Sequence, residues 1–251
     1  MIRVYIFFTF FLFGISISNA QFLKGTRVIG ASFSASVTSQ DQTENSNSNP
    51  FRVTTSSAFN QIYTVNFPYG IFIKDNYLVT VGINYSFDQQ TSHSNTSDTN
   101  GTSFGNSKTL SNTFGLSGKI YRFYEVKKKF GVYHSEGINL SYSYATGSSE
   151  NLSVNGIKIY TNNIPASSAM LTASFDVGIY YQVIEQLILS VELNLFNLNA
   201  SYAWSSGTDS WNRPLTTSKL NIGMSGTLTP SSNLTILSVG MKYLFLPKNK
   251  K

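Results

Sequence analysis

Three adjacent residues near the middle of the chain have the side-chain types of a hydrolytic triad: His134, Ser135 and Glu136. A serine nucleophile needs its histidine base within hydrogen-bonding distance on the same side of the backbone. The surrounding sequence alternates apolar and polar residues, which predicts a β-strand, and neighbouring strand residues point to opposite faces. We therefore expect no catalytic site here and predict that the protein is not an enzyme.

Charged residues make up only 12% of the 251 residues, and four of them occupy polar positions within alternating segments: Lys119, Asp176, Glu192 and Lys242. Glu136 has the phase of the apolar residue Ile138, so it would join them only if a β-bulge near Gly137 shifted the strand. We predict this bulge, and a network of all five charges in an enclosed lumen. The chain has no cysteine, which excludes disulfides, thiolate catalysis and zinc–sulfur sites. We expect no metal site and no cofactor.

Eight segments in which apolar and polar residues alternate must position these side chains. In the third, residues 77–87, apolar side chains stand at the odd positions and small or polar ones at the even positions. The predicted strands are about 27–38, 57–73, 77–87, 110–124, 130–144, 169–182, 187–198 and 234–245.

The connections between the predicted strands alternate in length. Three connections are short, at 74–76, 125–129 and 183–186. Four are long polar tracts, at about 39–55, 88–109, 146–168 and 199–230, and they alternate with the short ones along the chain. Tracts rich in Asn, Ser, Thr and Gly bury little apolar surface, so we expect them to be weakly ordered loops.

The first twenty residues resemble a secretory signal. Arg3 precedes an apolar run, and small residues end the segment at Ala20, so we predict a signal peptide over 1–20 that is cleaved before Gln21. A retained membrane anchor is the alternative, but the run is short for a span of about 20 apolar residues. Residues 21–251 would then form one domain.

Two architectures fit eight alternating strands, and they differ in which face meets water. A secreted soluble β-sandwich, such as an adhesin domain, would enclose the apolar faces between two sheets. A membrane barrel would turn them towards lipid and enclose the polar ones. The polar faces consist mainly of Gly, Ser, Thr and Asn rather than long charged residues, and Tyr and Phe cluster near strand ends, as in an interfacial girdle. We therefore predict an all-β, eight-stranded antiparallel up-and-down transmembrane β-barrel, with short periplasmic turns and long outer loops.

Two segments also resemble a known class. The stretch "PYGIFIKDNYLVTVGINYS" (68–86) resembles a hairpin of small porin-like outer-membrane β-barrel proteins of Gram-negative bacteria, of the OmpA-transmembrane-domain type. "SVGMKYLF" (238–245) is similar to the C-terminal sorting signal of that class, with Gly240, Tyr243 and Phe245 at its characteristic positions. The resemblance implies insertion into the outer membrane by the barrel-assembly machinery. Six further residues after Phe245 depart from the usual pattern.

The polar tracts contain the remaining candidate contacts. Residues 199–215 include Trp204, Trp211 and Arg213, which could bind an extracellular ligand or pack against the barrel rim. Lys127–Lys129 and the basic C-terminus would lie on the periplasmic side, where cations meet anionic headgroups or stay hydrated. We expect outer-membrane lipids as partners and no nucleic acid. The predicted role is structural or surface-interactive, and a narrow porin-like channel for small polar solutes is the alternative.

Overall fold

The alternating segments form antiparallel strands in a computed structural model of the protein. The structure describes residues 22–45, 53–98, 101–152, 158–208, 214–225 and 237–246. Within these ranges the strands are β1 (Arg27–Asn45), β2 (Val53–Lys74), β3 (Tyr77–Asp98), β4 (Gly101–Lys127), β5 (Phe130–Leu152), β6 (Lys158–Ile184), β7 (Leu187–Thr208), β8 (Pro214–Ser225) and β9 (Leu237–Phe245).

The described strands close into a ring with eight positions. β1 to β7 are hydrogen-bonded to one another in chain order, and β9 pairs with β1 on one side and with β7 on the other. β8 pairs with residues 197–208 of β7, directly beyond the part of β7 that pairs with β9. The predicted eight-stranded antiparallel up-and-down barrel is confirmed. The alternative of two stacked sheets is wrong, because a single sheet closes on itself.

The strands are much longer than predicted, because the polar tracts continue them. β4 and β6 have 27 residues each, residues 199–208 belong to β7, and residues 214–225 form β8. Backbone pairing does not require apolar side chains, and hydroxyl groups link neighbouring strands. Ser92 Oγ and Ser107 Oγ, for example, are 2.7 Å apart. The prediction of weakly ordered long loops is therefore wrong for these residues.

Two-residue turns lie at the end of the barrel opposite to the polar tracts. They connect β2 to β3, β4 to β5 and β6 to β7, where short connections were predicted. Asn76 and Lys129, each the second residue of its turn, have positive φ values of 62° and 72°. This left-handed conformation lets the backbone reverse within two residues.

Outward side chains form a broad apolar belt around the ring. Val81 and Ile138, for example, are each 64% exposed. Soluble monomers rarely expose contiguous apolar surface on this scale. Members of the apolar belt are Ile29, Phe33, Phe67, Ile71, Val81, Ile83, Leu116, Ile120, Ile138, Leu140, Leu171, Ile179, Leu189, Val239 and Met241. The strand segments on the far side of the belt from the two-residue turns form a polar rim, made of residues 53–62, 87–98, 101–112, 145–152 and 158–168.

Buried apolar side chains are concentrated inside the ring near the two-residue turns. This apolar plug consists of Phe22, Val28, Phe72, Leu78, Tyr121, Phe123, Tyr133, Tyr180, Ile188 and Leu244. The described residues contain no helix that is long and apolar enough to span a membrane.

Candidate functional site

A polar chamber of about 180 Å³ lies inside the ring and is bordered by the plug residues Tyr121 and Tyr133. Its remaining walls are mostly small or polar, as the alternation of the strands requires. Four of the five predicted network charges line it: Lys119, Asp176, Glu192 and Lys242.

Lys119 is the centre of an ion-pair network in the chamber. Its Nζ atom lies 2.9 Å from Asp176 Oδ2 and 2.6 Å from Glu192 Oε1. The Asn194 amide donates a hydrogen bond of 2.5 Å to Asp176 Oδ1, and the Tyr133 hydroxyl donates one of 3.3 Å to Glu192 Oε2. Each carboxylate therefore has both a cation and a neutral donor, which reduces the cost of enclosing charge.

Lys242 is held differently. It is 6% exposed, and its Nζ atom donates a hydrogen bond of 3.1 Å to Ser190 Oγ. The ammonium group also lies over two aromatic rings, 5.2 Å from the centroid of Tyr121 and 5.4 Å from that of Tyr133. Cation–π contacts of this kind stabilise a desolvated ammonium group.

Glu136 does not join the network, so this part of the prediction is wrong. β5 pairs with β4 and β6 without a register shift around Gly137, and Glu136 stays exposed on the outer face. The bulge next to the network lies in β7 instead: Phe175 pairs with Phe196, but the next residue, Asp176, pairs with Asn194. Leu195 is thus the extra residue, and the adjacent apolar pair Leu195–Phe196 was the sequence signal for it.

The triad residue types lie on opposite faces of β5. Ser135 is fully buried inside the ring, where its hydroxyl donates a hydrogen bond of 3.4 Å to Asp176 Oδ2. The His134 ring is on the outside, 5.6 Å from the Tyr124 ring and 5.9 Å from the Phe175 ring. Within the described ranges, no group of three or more His, Cys, Asp or Glu residues is placed to hold a metal ion.

The chain immediately before β1 closes the end of the ring that carries the two-residue turns. Phe22 contacts the rings of Phe72, Phe123 and Tyr180 at centroid distances of 5.2, 5.1 and 5.6 Å. Its backbone N–H donates to Asn76 Oδ1 at 3.0 Å, and its carbonyl accepts from Asn76 N at 2.9 Å. No sequence pattern predicts this plug, because its residues come from eight different strands and from the segment before β1.

The residues of the predicted sorting signal lie in β9. Gly240 is on the inner face, where a Cβ atom would lie 3.0 Å from Ser190 Oγ. Tyr243 and Phe245 point outward with their rings edge to face at 5.1 Å, and the Tyr243 hydroxyl donates to Gln186 Oε1 at 2.9 Å.

Of the three predicted loop contacts, Trp204 lies in β7 rather than in a loop. Its ring is 6.1 Å from that of Tyr142 and 5.8 Å from that of Tyr202, an arrangement typical of an interfacial aromatic girdle. Trp211 and Arg213 fall outside the described residues, as does the predicted signal peptide.

Several solved structures are similar to this chain at low sequence identity. The outer membrane protein OprG from Pseudomonas aeruginosa is 12% identical, with a TM-score of 0.42 over 91% of this chain and 100% of that one. Neisserial surface protein A is 14% identical, with a TM-score of 0.34 over 88% and 97%. Ail, the attachment invasion locus protein of Yersinia pestis, is 14% identical, with a TM-score of 0.28 over 89% and 100%. No family model matches the sequence, and no curated protein is similar to it.

Proposed function

We propose that this protein is an integral β-barrel of the bacterial outer membrane, with a structural or surface-interaction role and no catalytic activity. The apolar belt around a closed ring, with Lys119, Asp176, Glu192 and Lys242 inside it, is the observation that supports this most directly. A bilayer tolerates only structures whose backbone hydrogen bonds are satisfied internally, and a closed ring satisfies them. The signal-like N-terminus and the C-terminal strand support export and insertion by the barrel-assembly machinery.

Charge placed in the belt tests the membrane location. Leu116→Lys adds a cation to the lipid-facing surface, which costs about 2–4 kcal/mol at the bilayer midplane. The protein refolded into phospholipid vesicles should migrate as a folded, heat-modifiable band, and the variant should give much less of that band.

The control is Thr102→Lys, which places the same charge on an exposed position of the polar rim. It should fold like the unmodified protein. Folding that is equally efficient for Leu116→Lys and Thr102→Lys would argue against lipid contact at the belt.

The polar rim is the surface that we assign to extracellular partners. Its cross-strand hydroxyl contacts, such as the 2.7 Å separation of Ser92 Oγ and Ser107 Oγ, hold a continuous sheet rather than separate loops. Deleting residues 93–106 would shorten the β3–β4 hairpin in register, because Thr91 pairs with Lys108 and Ser92 and Ser107 would form a two-residue turn between them. The surface role predicts lost adhesion of cells producing this variant with its folded band retained. Unchanged adhesion would contradict a role for this hairpin.

The narrow channel is the weaker candidate, because the apolar plug separates the chamber from the end with the two-residue turns. Leu78, at 0% exposure, and Phe72 are among the enclosed side chains. Eight-stranded barrels generally have interiors filled by side chains in this way.

A further inference from the structure

Three ionisable side chains interrupt the apolar belt on the outer faces of β4 and β5. They are Arg122, His134 and Glu136, of which Arg122 and Glu136 are exposed. Charge facing lipid is costly, and the proposed membrane role does not account for these three residues.

The strand register places them in two adjacent outward rows. Tyr77 pairs with Arg122, which pairs with His134. The next outward row contains Val79, Ile120 and Glu136. Tyr77 directly follows the two-residue turn at 75–76, so the Arg122 row lies near the end of the barrel assigned to the periplasmic interface.

Aromatic rings hold the Arg122 guanidinium in place. Its central carbon lies 5.1 Å from the Tyr77 ring centroid and 5.2 Å from the Tyr124 ring centroid. The Tyr124 hydroxyl is 3.5 Å from His134 Nδ1, and His134 interacts electrostatically with both Arg122 and Glu136. A guanidinium fixed by stacking keeps its N–H groups available for a bidentate contact with a phosphate or carboxylate.

A groove of about 480 Å³ begins directly beyond this row on the outer wall. Its lining includes Val79, Ile120 and Ile138, and Glu136 lines it in the row next to Arg122. Gly118 and Ala173 stand in the middle of it, and a Cβ atom on Gly118 would meet nothing closer than Ile138 Cγ1 at 3.9 Å. Small residues among large ones thus leave a mainly apolar depression in the wall, with Glu136 beside it.

The groove lies within the depth of one leaflet from the charged row. The step of four residues from Arg122 to Gly118 is about 13 Å along the strand, which is about 10 Å along the bilayer normal for a strand tilted by about 40°. Half of a hydrocarbon core of about 30 Å is about 15 Å. A lipid with its phosphate at Arg122 would therefore lay its acyl chain along the groove in its normal orientation.

We infer that Arg122, together with Tyr77, Tyr124 and the groove at Gly118, is a binding site for one phospholipid of the periplasmic leaflet. The guanidinium binds the phosphate, the two tyrosine rings fix the guanidinium, and the groove takes an acyl chain. This rests on the proposed membrane role, since the site exists only when the belt faces lipid.

The test uses the full-length protein in nanodiscs that contain phosphatidylethanolamine, with retained lipid counted by native mass spectrometry. Arg122→Gln should reduce phospholipid retention at least about tenfold, through loss of the charge-assisted contact. Gly118→Phe should also reduce it, because the ring fills the groove while Arg122 remains. Arg27→Gln, which removes an exposed arginine of β1 outside the groove, is the matched control and should retain the lipid. Diacylglycerol with the same chains should not be retained by any form.

Equal retention by Arg122→Gln and Arg27→Gln would show that Arg122 merely extends towards water, and it would overturn the inference. So would diacylglycerol retained as well as phospholipid, or a dimer of the unmodified protein that Arg122→Gln dissociates, since a second chain would then occupy the site. The folded, heat-modifiable band is recorded for every form first. Its absence from the unmodified protein would overturn the membrane role itself, whereas a folded protein that retains no lipid overturns this inference alone.

Discussion

Lys119 is the residue whose removal should most disturb the chamber. Lys119→Met would leave Asp176 and Glu192 without their cation, and breaking a buried ion pair in this way costs roughly 3–5 kcal/mol. Because the side chain of Lys119 is 19% exposed, we expect a loss near the lower end of that range. Urea unfolding of the vesicle-inserted barrel measures it.

Lys242→Met is the matched control for that experiment. Lys242 lines the same chamber but donates to Ser190 rather than to a carboxylate, so its loss should cost less than that of Lys119. The Lys119 network would be unimportant for stability if the two variants unfolded at the same urea concentration.

Gly178 gives a steric test at the same scale. A Cβ atom at this position would overlap the Tyr133 ring and would lie 2.6 Å from the Val191 carbonyl oxygen. Gly178→Ala should therefore lower the free energy of unfolding by about 1–3 kcal/mol, as is typical of overpacking.

Gly118→Ala is the comparison, since its nearest neighbours are 3.9 Å away. We expect Gly118→Ala to change the free energy of unfolding much less than Gly178→Ala does. Equal effects of the two substitutions would mean that backbone freedom, rather than the Tyr133 contact, decides the cost.

At the scale of single elements, the bulge in β7 gives a prediction about deletions. Removing Leu195 would restore regular alternation, because Asn194 and Asn197 would keep facing inward and Phe196 outward. Removing Val191 from the regular part of the same strand would instead turn Ile188 and Ser190 to the lipid side, since a shift of one residue exchanges the faces.

We therefore expect the Leu195 deletion to retain the folded, heat-modifiable band and the Val191 deletion to lose it. Loss of the band in both would show that the bulge itself is required, for example to shape the strand next to Asp176.

The strands show what the sequence could and could not predict. Alternation alone located parts of every strand but β8, and it placed Lys119, Asp176, Glu192 and Lys242 on the inner face. It also gave Glu136 the outward phase that the structure shows; the added bulge near Gly137 was wrong, because a short window does not show which strand contains a bulge. Alternation failed for the polar rim, where pairing between neighbouring backbones maintains strands without an apolar pattern. The plug was not predictable, because it forms only when distant segments meet.

At the scale of the whole molecule, the plug decides whether the lumen conducts. Phe22→Ala removes one ring from a cluster of ten buried residues and should cost about 3–5 kcal/mol in stability. The remaining plug side chains should still block the lumen. Planar-bilayer recordings should therefore be silent for both the unmodified protein and this variant.

Leu23→Ala is the neighbouring control. Leu23 is 53% exposed, so its side chain should contribute little to the stability of the barrel. Reproducible conductance steps from the unmodified protein would contradict the closed lumen and revive the channel hypothesis.

In the proposed membrane orientation, the polar rim determines what an antibody meets at the cell surface. A transmembrane strand needs about 9–11 residues, so a 27-residue strand such as β4 has well over ten residues to spare, most of them on the rim side. Antibodies against this region would meet side chains from several strands at once, arranged by the sheet. Sera raised against the folded barrel should thus bind discontinuous epitopes, and boiling the antigen should abolish most of that reactivity.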